Sequence, residues 1–423
     1  MVQYSLRFAG DAFNIFRIFK DQPNAFFLDS SLDRSQTRFS YIGFDPFTTI
    51  SACELSQLKK NFNQHRFSQK ASRLSFPAGA VGYLGFDGSL FFGFYDTILT
   101  VDHKARRLIV SSLSKNRLKD VLRSLHQTLM PQRVSKPFSK QLDFISNFTK
   151  AGYIEAVRSA LEHIRRGDIY QINLSHQIRV NLPSWRRYAE PTDLYGALRR
   201  FFPSEFGAYF DDGRQVILSA SPERFLRLQK DIVQVKPMKG TRPRGKNKIQ
   251  DRNFREELLK SPKEIAELLM VTDLERNDLG RVCDYSSVKV KAMRTIETYA
   301  SVFQATSTVE GRLYKGFDQF DLLKAAFPSG SVTGCPKIEA MKIIKKLEHG
   351  PRGLYTGALG YISFSGNMDF NVMIRTMFLK RDEITFHVGG GIVADSKPQT
   401  EWQETWIKAQ PLMDALNKIF RRV

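Results

Sequence analysis

The sequence predicts an α+β fold. Three observations carry that expectation. Short aromatic and β-branched runs, cut by Gly or polar residues, recur along the chain. A few separated segments place apolar residues at helical spacing. The two kinds of segment do not alternate as the βαβ units of a parallel sheet would.

Residues 1 to about 112 read mostly as strands and turns, with Phe26-Phe27-Leu28-Asp29-Ser30 and Arg38-Phe39-Ser40-Tyr41-Ile42-Gly43 as examples. Leu118, Val121, Leu122, Leu125 and Leu129 share one face and predict a helix over 114–130. The polar segment 131–147, with Pro131 and Pro137, reads as a linker between regions 1–130 and 148–423. A helix starts near Thr149, with Ile154, Val157, Leu161 and Ile164 in period. Strands are expected over 170–180, 206–210, 216–219 and 225–228. A helix follows over 262–272, opened by Pro262, and two more over 317–326 and 336–348. Strands at 354–364, 370–379 and 384–388 precede a last helix over about 399–419, which Pro411 should kink or interrupt.

The 423 residues are 42% hydrophobic and 25% charged, an ordinary globular balance with room for one large or two intimate domains. A net charge of +21 admits three readings: nucleic-acid binding, attraction of an anionic substrate, or a generally basic proteome. The basic residues lie in short clusters such as Arg242-Pro243-Arg244-Gly245-Lys246, without a basic tail, so nucleic-acid binding ranks second. Cys53, Cys283 and Cys335 are too few and too scattered for a disulfide framework or a structural zinc site. No signal peptide and no membrane-spanning apolar run is evident, and the expected location is cytoplasmic.

Candidate chemistry clusters in the second half of the chain. Lys239, in Pro237-Met238-Lys239-Gly240-Thr241, stands between an apolar strand-like run and a Gly-Thr turn. Partial desolvation there lowers an amine's pKa and makes it a nucleophile; a solvated turn lysine is the plainer alternative. Glu223, one short strand earlier, could supply an acid to the same substrate. Glu264 and Glu267 lie three apart on one predicted helix, with Ile265, Leu268 and Leu269 marking the buried side, and Glu401 and Glu404 repeat the spacing on the last helix. Four such carboxylates could hold a hard divalent cation, or could be two solvated faces. Gly389, Gly390 and Gly391 follow a strand and permit close backbone approach to an anion, or form a tight turn. The Ser- and Gly-rich segment 328–337 approaches a helix N-terminus, with Pro336 in its first position, and is a second candidate anion cradle. Arg375, inside an otherwise apolar strand, calls for a carboxylate partner from protein or substrate.

Together these segments resemble the chorismate-utilising enzymes. The resemblance runs from about 150 to 415, through Tyr170-Gln171-Ile172-Asn173-Leu174-Ser175, Ser221-Pro222-Glu223-Arg224-Phe225, the Lys239 segment, Asp273-Leu274-Glu275-Arg276-Asn277-Asp278, residues 328–337, Tyr355-Thr356-Gly357 and Gly391-Ile392-Val393. It implies a layered β-α/α-β sandwich of two intertwined subdomains around a central cleft. The pattern is most similar to the aminodeoxychorismate synthase branch. That branch has lysine at the position of Lys239, where anthranilate synthases typically have alanine, and Thr333 also fits it. Gln171 replaces the water-activating lysine of isochorismate and salicylate synthases. One departure is Gln304, where the family often has histidine; an amide hydrogen-bonds but carries no charge.

The resemblance implies Lys239 as covalent nucleophile, Glu223 as general acid, and Mg²⁺ held by Glu267 and Glu404 with Glu264 and Glu401 in support. Gln171, Gly240, Thr241, Gln304, Thr333, Tyr355, Arg375 and Gly389 to Gly391 would contact chorismate. It also implies ammonia delivered by a separate glutaminase subunit, and a product on the route to 4-aminobenzoate and folate. The alternatives are an anthranilate synthase component I, a basic nucleic-acid-binding protein, and a catalytically silent relative.

Overall fold

Two large antiparallel sheets organise the chain. The structure, a computed structural model, describes residues 1–32, 38–65, 74–127, 142–182, 185, 189–299 and 302–420. The first sheet has twelve strands among these residues and the second has ten. The first runs from Val2–Arg7 at one edge, through Phe206–Asp211, Val216–Ser221, Thr376–Lys380 and Glu383–Ile392, to Gln171–Asn181 and Gly334–Cys335. The second runs from Met238–Pro243 through Val302–Arg312, Ile232–Lys236, Arg224–Gln229 and Met368–Val372 to Thr48–Ala52. Early strands lie in both sheets beside late ones, so the boundary near residue 130 is not a boundary in space. This is the α+β class expected from the sequence.

The sheets meet through an aromatic layer. Phe26, Tyr41, Phe210 and Phe378 of the first pack against Tyr83, Phe91 and Tyr361 of the second. Helices cover the outer faces. Ala12–Phe19, Pro191–Phe201 and Pro398–Phe420 place Phe16, Leu194 and Leu412 on the first sheet. Leu55–Asn63 and Gln319–Ala326 place Phe62 and Phe320 on the second.

The chain passes between the sheets at two adjacent crossings. Val216–Ser221 leads through Pro222 and Glu223 to Arg224–Gln229, and Met368–Val372 leads through Met373 to Arg375 into Thr376–Lys380. The expected single strand over 370–379 is therefore two strands in different sheets. Arg375 lies between them rather than inside a strand, with φ +49. The crossings are bonded together: Val372 N–H donates to the Glu223 carbonyl at 3.1 Å, and Ala220 N–H donates to the Arg375 carbonyl at 3.1 Å.

Other expectations shift locally. Gly389, Gly390 and Gly391 do not follow a strand; they lie within Glu383–Ile392, opposite Ser175, Leu174 and Asn173. The strand expected from 354 begins at Ala358, and the helix expected over 262–272 continues to Gly280. Pro336 is the N-cap of Lys337–Leu347, one residue outside the helix. The last helix runs through Pro411 uninterrupted. Proline leaves the Ile407 carbonyl without its intrahelical donor, but Ile407 is 71% exposed, so water can take that bond. Most of the expected linker falls outside the described residues, but Ile145–Ser146 pairs with Gln171–Asn181 as a short strand.

A buried ion pair fastens the part of the fold nearest the candidate site. Arg352 and Glu348 are both buried, 2.7 Å apart. Arg352 also donates to the carbonyls of Val332 at 2.8 Å and Asn173 at 2.7 Å, and Glu348 accepts from Ser175 N–H at 2.8 Å. Removing one member of such a pair leaves the other charge uncompensated. Arg352→Ala is expected to cost about 3–5 kcal/mol of stability in urea denaturation. A loss below about 1 kcal/mol would mean the pair is not a strut of this fold.

Candidate active site

Glu223 is placed by the first crossing. Its backbone N–H donates to the Ser221 hydroxyl at 3.2 Å, and the Ser221 hydroxyl donates to the Val372 carbonyl at 2.7 Å. The side chain is 4% exposed and its Oε1 has no hydrogen-bond partner. Burial pushes the carboxyl up to about 7, against the opposing pull of the Ser331 hydroxyl, Lys239 and the Met238 backbone. A carboxyl protonated near neutrality with one free oxygen can act as a general acid.

Lys239 comes from the edge strand Met238–Pro243, not from a turn. The strand pairs with Val302–Arg312, Lys239 opposite Ala305, then bulges so that Thr241 meets Gln304. Gly240 makes the bulge, with φ +79; a Cβ there would lie 2.8 Å from Leu258 and 3.1 Å from the Glu264 carboxyl carbon. The Lys239 ammonium donates to the Ser331 carbonyl at 3.1 Å. Among the described residues it forms no ion pair within 4.0 Å. Burial lowers its pKa, with Glu267 and Glu223 pulling the other way. The solvated-turn alternative does not describe this lysine.

The remaining candidates divide. Gln171 and Asn173 are buried on one face of Gln171–Asn181, each with an unpartnered carbonyl oxygen. A Cβ at Gly391 would lie 2.6 Å from Gln171 Nε2 and 3.6 Å from Lys239 Nζ, so glycine there leaves the space beside the amine open. Gly390 faces the last helix, its Cβ position 3.6 Å from Glu401 Oε2 and 3.9 Å from Glu404 Oε1. Gly389 lies against the Leu174 carbonyl and Ser175. The Thr333 hydroxyl turns inward, donating to the Ser329 carbonyl at 3.0 Å. Tyr355 is buried and stacked on His387 at 4.8 Å. Arg375 lies over Phe202 at 5.6 Å, and burial lowers its pKa. Gln304 is buried in the strand Val302–Arg312, next to the bulge.

The glutamates lie on two helices as the spacing required, but Ile265 and Leu269 do not mark a buried side. They are 39% and 55% exposed, and only Leu268 is buried. Glu264 and Glu267 are the shielded side chains, because the face turned to the strand Met238–Pro243 is polar. Glu264 Oε1 accepts from Arg242 at 2.8 Å, and its Oε2 is buried without a partner. Glu401 is 5% exposed, and Glu404 pairs with Lys408 at 2.7 Å. Glu267 and Glu404 both act on the charge of Lys239. No group of three or more ligand-type side chains is gathered among the described residues. One carboxylate from each helix is still a suitable hard-oxygen set for Mg²⁺, which usually completes its shell with water or substrate.

Sequence reasoning passed over Ser331, whose carbonyl accepts from Lys239 and whose hydroxyl lowers the Glu223 pKa, although its segment had drawn notice as an anion cradle. It also missed Arg352, which no local pattern marks, and Lys408, whose i+4 spacing from Glu404 was readable. The two arginines of the basic cluster after Lys239 are paired: Arg242 with Glu257 and Glu264, Arg244 with Asp251. Those charges are therefore not free for phosphates. A separate cavity of about 330 Å³ between the sheets is lined by Asp29, Ser30, Arg38, Arg224 and Asp369 and does not include Lys239 or Glu223.

Residues 24–414 match a family model described as chorismate binding enzyme. Anthranilate synthase component 1 of Aquifex aeolicus (strain VF5) is 40% identical over 72% of the chain, which spans 60% of that protein. Aminodeoxychorismate synthase of Streptomyces pristinaespiralis is 35% identical over 95% of the chain, which spans 63% of that protein. The crystal structure of anthranilate synthase component I from Streptococcus pneumoniae TIGR4 superposes with a TM-score of 0.79 at 31% identity, covering 90% of this chain and 93% of that one.

The raised carboxyl pKa has a consequence for stability. The folded state holds the Glu223 proton more tightly than the unfolded state, so its contribution is full below about 4.5 and is lost as pH rises to about 7. Glu223→Gln lacks that loss. Over pH 4.5 to 7 it should gain on the order of 3 kcal/mol relative to wild type in urea denaturation. A gap that stays constant with pH would show that the carboxyl is not desolvated.

Proposed function

The chain belongs to the chorismate-binding enzymes, and from that premise we propose that it is component I of an aminodeoxychorismate synthase. The observation that carries this reading is the Lys239 amine, its pKa lowered by burial, in no ion pair among the described residues, and within the field of Glu223, a carboxyl whose pKa is near neutrality. A nucleophilic amine and a general acid on one substrate are what replacement of the C4 hydroxyl through a covalent intermediate requires.

The neutral amine of Lys239 attacks C2 of chorismate. The ring double bonds shift, and the C4 hydroxyl leaves as water with the proton of Glu223. Ammonia then adds at C4, the double bonds shift back, and the Lys239 amine departs. The sum is chorismate plus ammonia giving 4-amino-4-deoxychorismate plus water. The unpartnered carbonyl oxygens of Gln171 and Asn173 can accept hydrogen bonds from substrate or from incoming ammonia. Arg375 is suited to a substrate carboxylate. Glu267 and Glu404, with Glu264 and Glu401 near them, would hold Mg²⁺. When bound, the ion neutralises a substrate carboxylate and orients the ring. A separate glutaminase would supply the ammonia, and a lyase would complete 4-aminobenzoate for folate synthesis.

A second reading, anthranilate synthase component I, is favoured by the 40% identity to the Aquifex aeolicus anthranilate synthase component 1. It aminates C2 and eliminates pyruvate, and gives Lys239 no covalent role.

Purified protein with chorismate, Mg²⁺ and ammonium at mildly alkaline pH, read by mass spectrometry, separates the two. The expected product is aminodeoxychorismate, reduced by about a hundredfold or more in Lys239→Ala. Anthranilate as the wild-type product would sink the first reading and establish the second.

A further inference from the structure

Glu275 lies eight residues beyond Glu267 on the helix Pro262–Gly280, about 12 Å further along its axis. The mechanism above does not use it. It is 1% exposed, and a buried carboxyl is costly unless hydrogen bonds compensate it. Its Oε1 accepts from the Ser329 hydroxyl at 3.1 Å and from the Gly330 N–H at 3.0 Å, while Oε2 has no partner. Approach this close needs glycine at 330, where a Cβ would meet Leu274 at 2.6 Å and Glu275 Oε1 at 3.3 Å. The same helix grips the other end of the segment through Asp278, which pairs with Lys337.

The segment so held carries Ser331. Its carbonyl accepts from the Lys239 ammonium at 3.1 Å, and its hydroxyl acts on the Glu223 carboxyl, drawing its pKa down against burial. The Ser329 and Ser331 hydroxyls are 3.0 Å apart. Arg352 holds the Val332 carbonyl at 2.8 Å. Through the turn, two contacts thus separate Glu275 from the Lys239 amine. Resting on the reading proposed above, we infer that Glu275 is a positioning residue for the reaction: it clamps the 329–331 turn so that one serine meets nucleophile and acid together.

The inference separates two substitutions. Both donors land on a single carboxylate oxygen, which the amide carbonyl of Glu275→Gln preserves and Glu275→Leu removes. Two measurements on the full chain test it. In chorismate turnover with ammonium, Glu275→Leu should lower kcat about tenfold or more with KM within about twofold, and Glu275→Gln should stay within about threefold of wild type. In a pulse of amine-acetylating reagent mapped by mass spectrometry, Lys239 labelling relative to exposed Lys260 should change about threefold or more in Glu275→Leu and not in Glu275→Gln. Wild-type turnover and labelling in Glu275→Leu would overturn the inference. So would Gln and Leu variants equally impaired. If wild type consumes no chorismate, the functional reading fails, and the labelling measurement still decides the clamp. If Glu275→Leu does not fold, Ser329→Ala, which removes the hydroxyl's bonds to Glu275 and to Ser331 and keeps the carboxylate, replaces it in both measurements.

Discussion

The structure depends on the place where the chain changes sheets. Strand residues on either side of Pro222-Glu223 belong to different sheets, and so do those on either side of Met373-Ile374-Arg375. Hydrogen bonds from Val372 to the Glu223 carbonyl, from Ala220 to the Arg375 carbonyl and from Ser221 to the Val372 carbonyl tie the two crossings into one seam. A crossing interrupts the ladder, so its backbone groups must find partners elsewhere. Here each crossing satisfies the other. Glu223 is buried because it stands on that seam, and its acid strength follows from where the backbone must go.

Burial then acts on two groups of opposite sign. For Glu223 and for Lys239 alike, loss of water is the largest influence on the proton, and it favours the neutral form of each. Their mutual attraction, with the pull of Glu267 on Lys239, favours the charged forms. A neutral acid with a neutral amine contains the same number of protons as the ion pair, so the balance between these pairs sets how much enzyme is competent at a given pH. Ser331 acts on both members. Its carbonyl favours the ammonium and its hydroxyl stabilises the carboxylate, so it opposes desolvation at both ends. An anionic substrate entering the site would be attracted to the ammonium, which gives the remote carboxylates a part in the balance even without contact.

Much of this was legible in the sequence because the relevant patterns are local. Apolar spacing marked the helix after Thr149, whose side chain caps it at Gly152, and the three-residue spacing of the glutamates correctly put each pair on one helix face. The failures have physical causes. Ile265 and Leu269 looked like a core-facing stripe, but the helix turns its carboxylates inward toward Lys239 and Arg242, so local hydrophobicity pointed the wrong way. The break at Arg375 could not be read, since an arginine with φ +49 has no local signature and is held there by the neighbouring crossing. The three glycines suggested a turn because glycine weakens strands; pairing along the whole of Gln171–Asn181 overrides that tendency. The helices Ala12–Phe19 and Pro191–Phe201 carried readable starts, Asp11 as N-cap and a Glu190/Asp193 capping box, that aromatic-rich surroundings obscured.

The comparison with anthranilate synthases and the presence of Lys239 do not conflict. Identity of 35–43% over hundreds of residues reports a shared family and fold. On the proposed reading, the product depends on much less. A covalent route at C2 needs an amine within reach of the ring and an acid for the leaving hydroxyl, and a side chain ending in a methyl group cannot supply the first. Such a change leaves the backbone pairing intact, because Lys239 sits on an edge strand and glycine at 391 leaves space beside its amine. On the proposed reading the fold stays the same while one edge position sets the chemistry, provided that the turn facing it is held still. In this chain a buried carboxylate, anchored two contacts away, is placed to hold it.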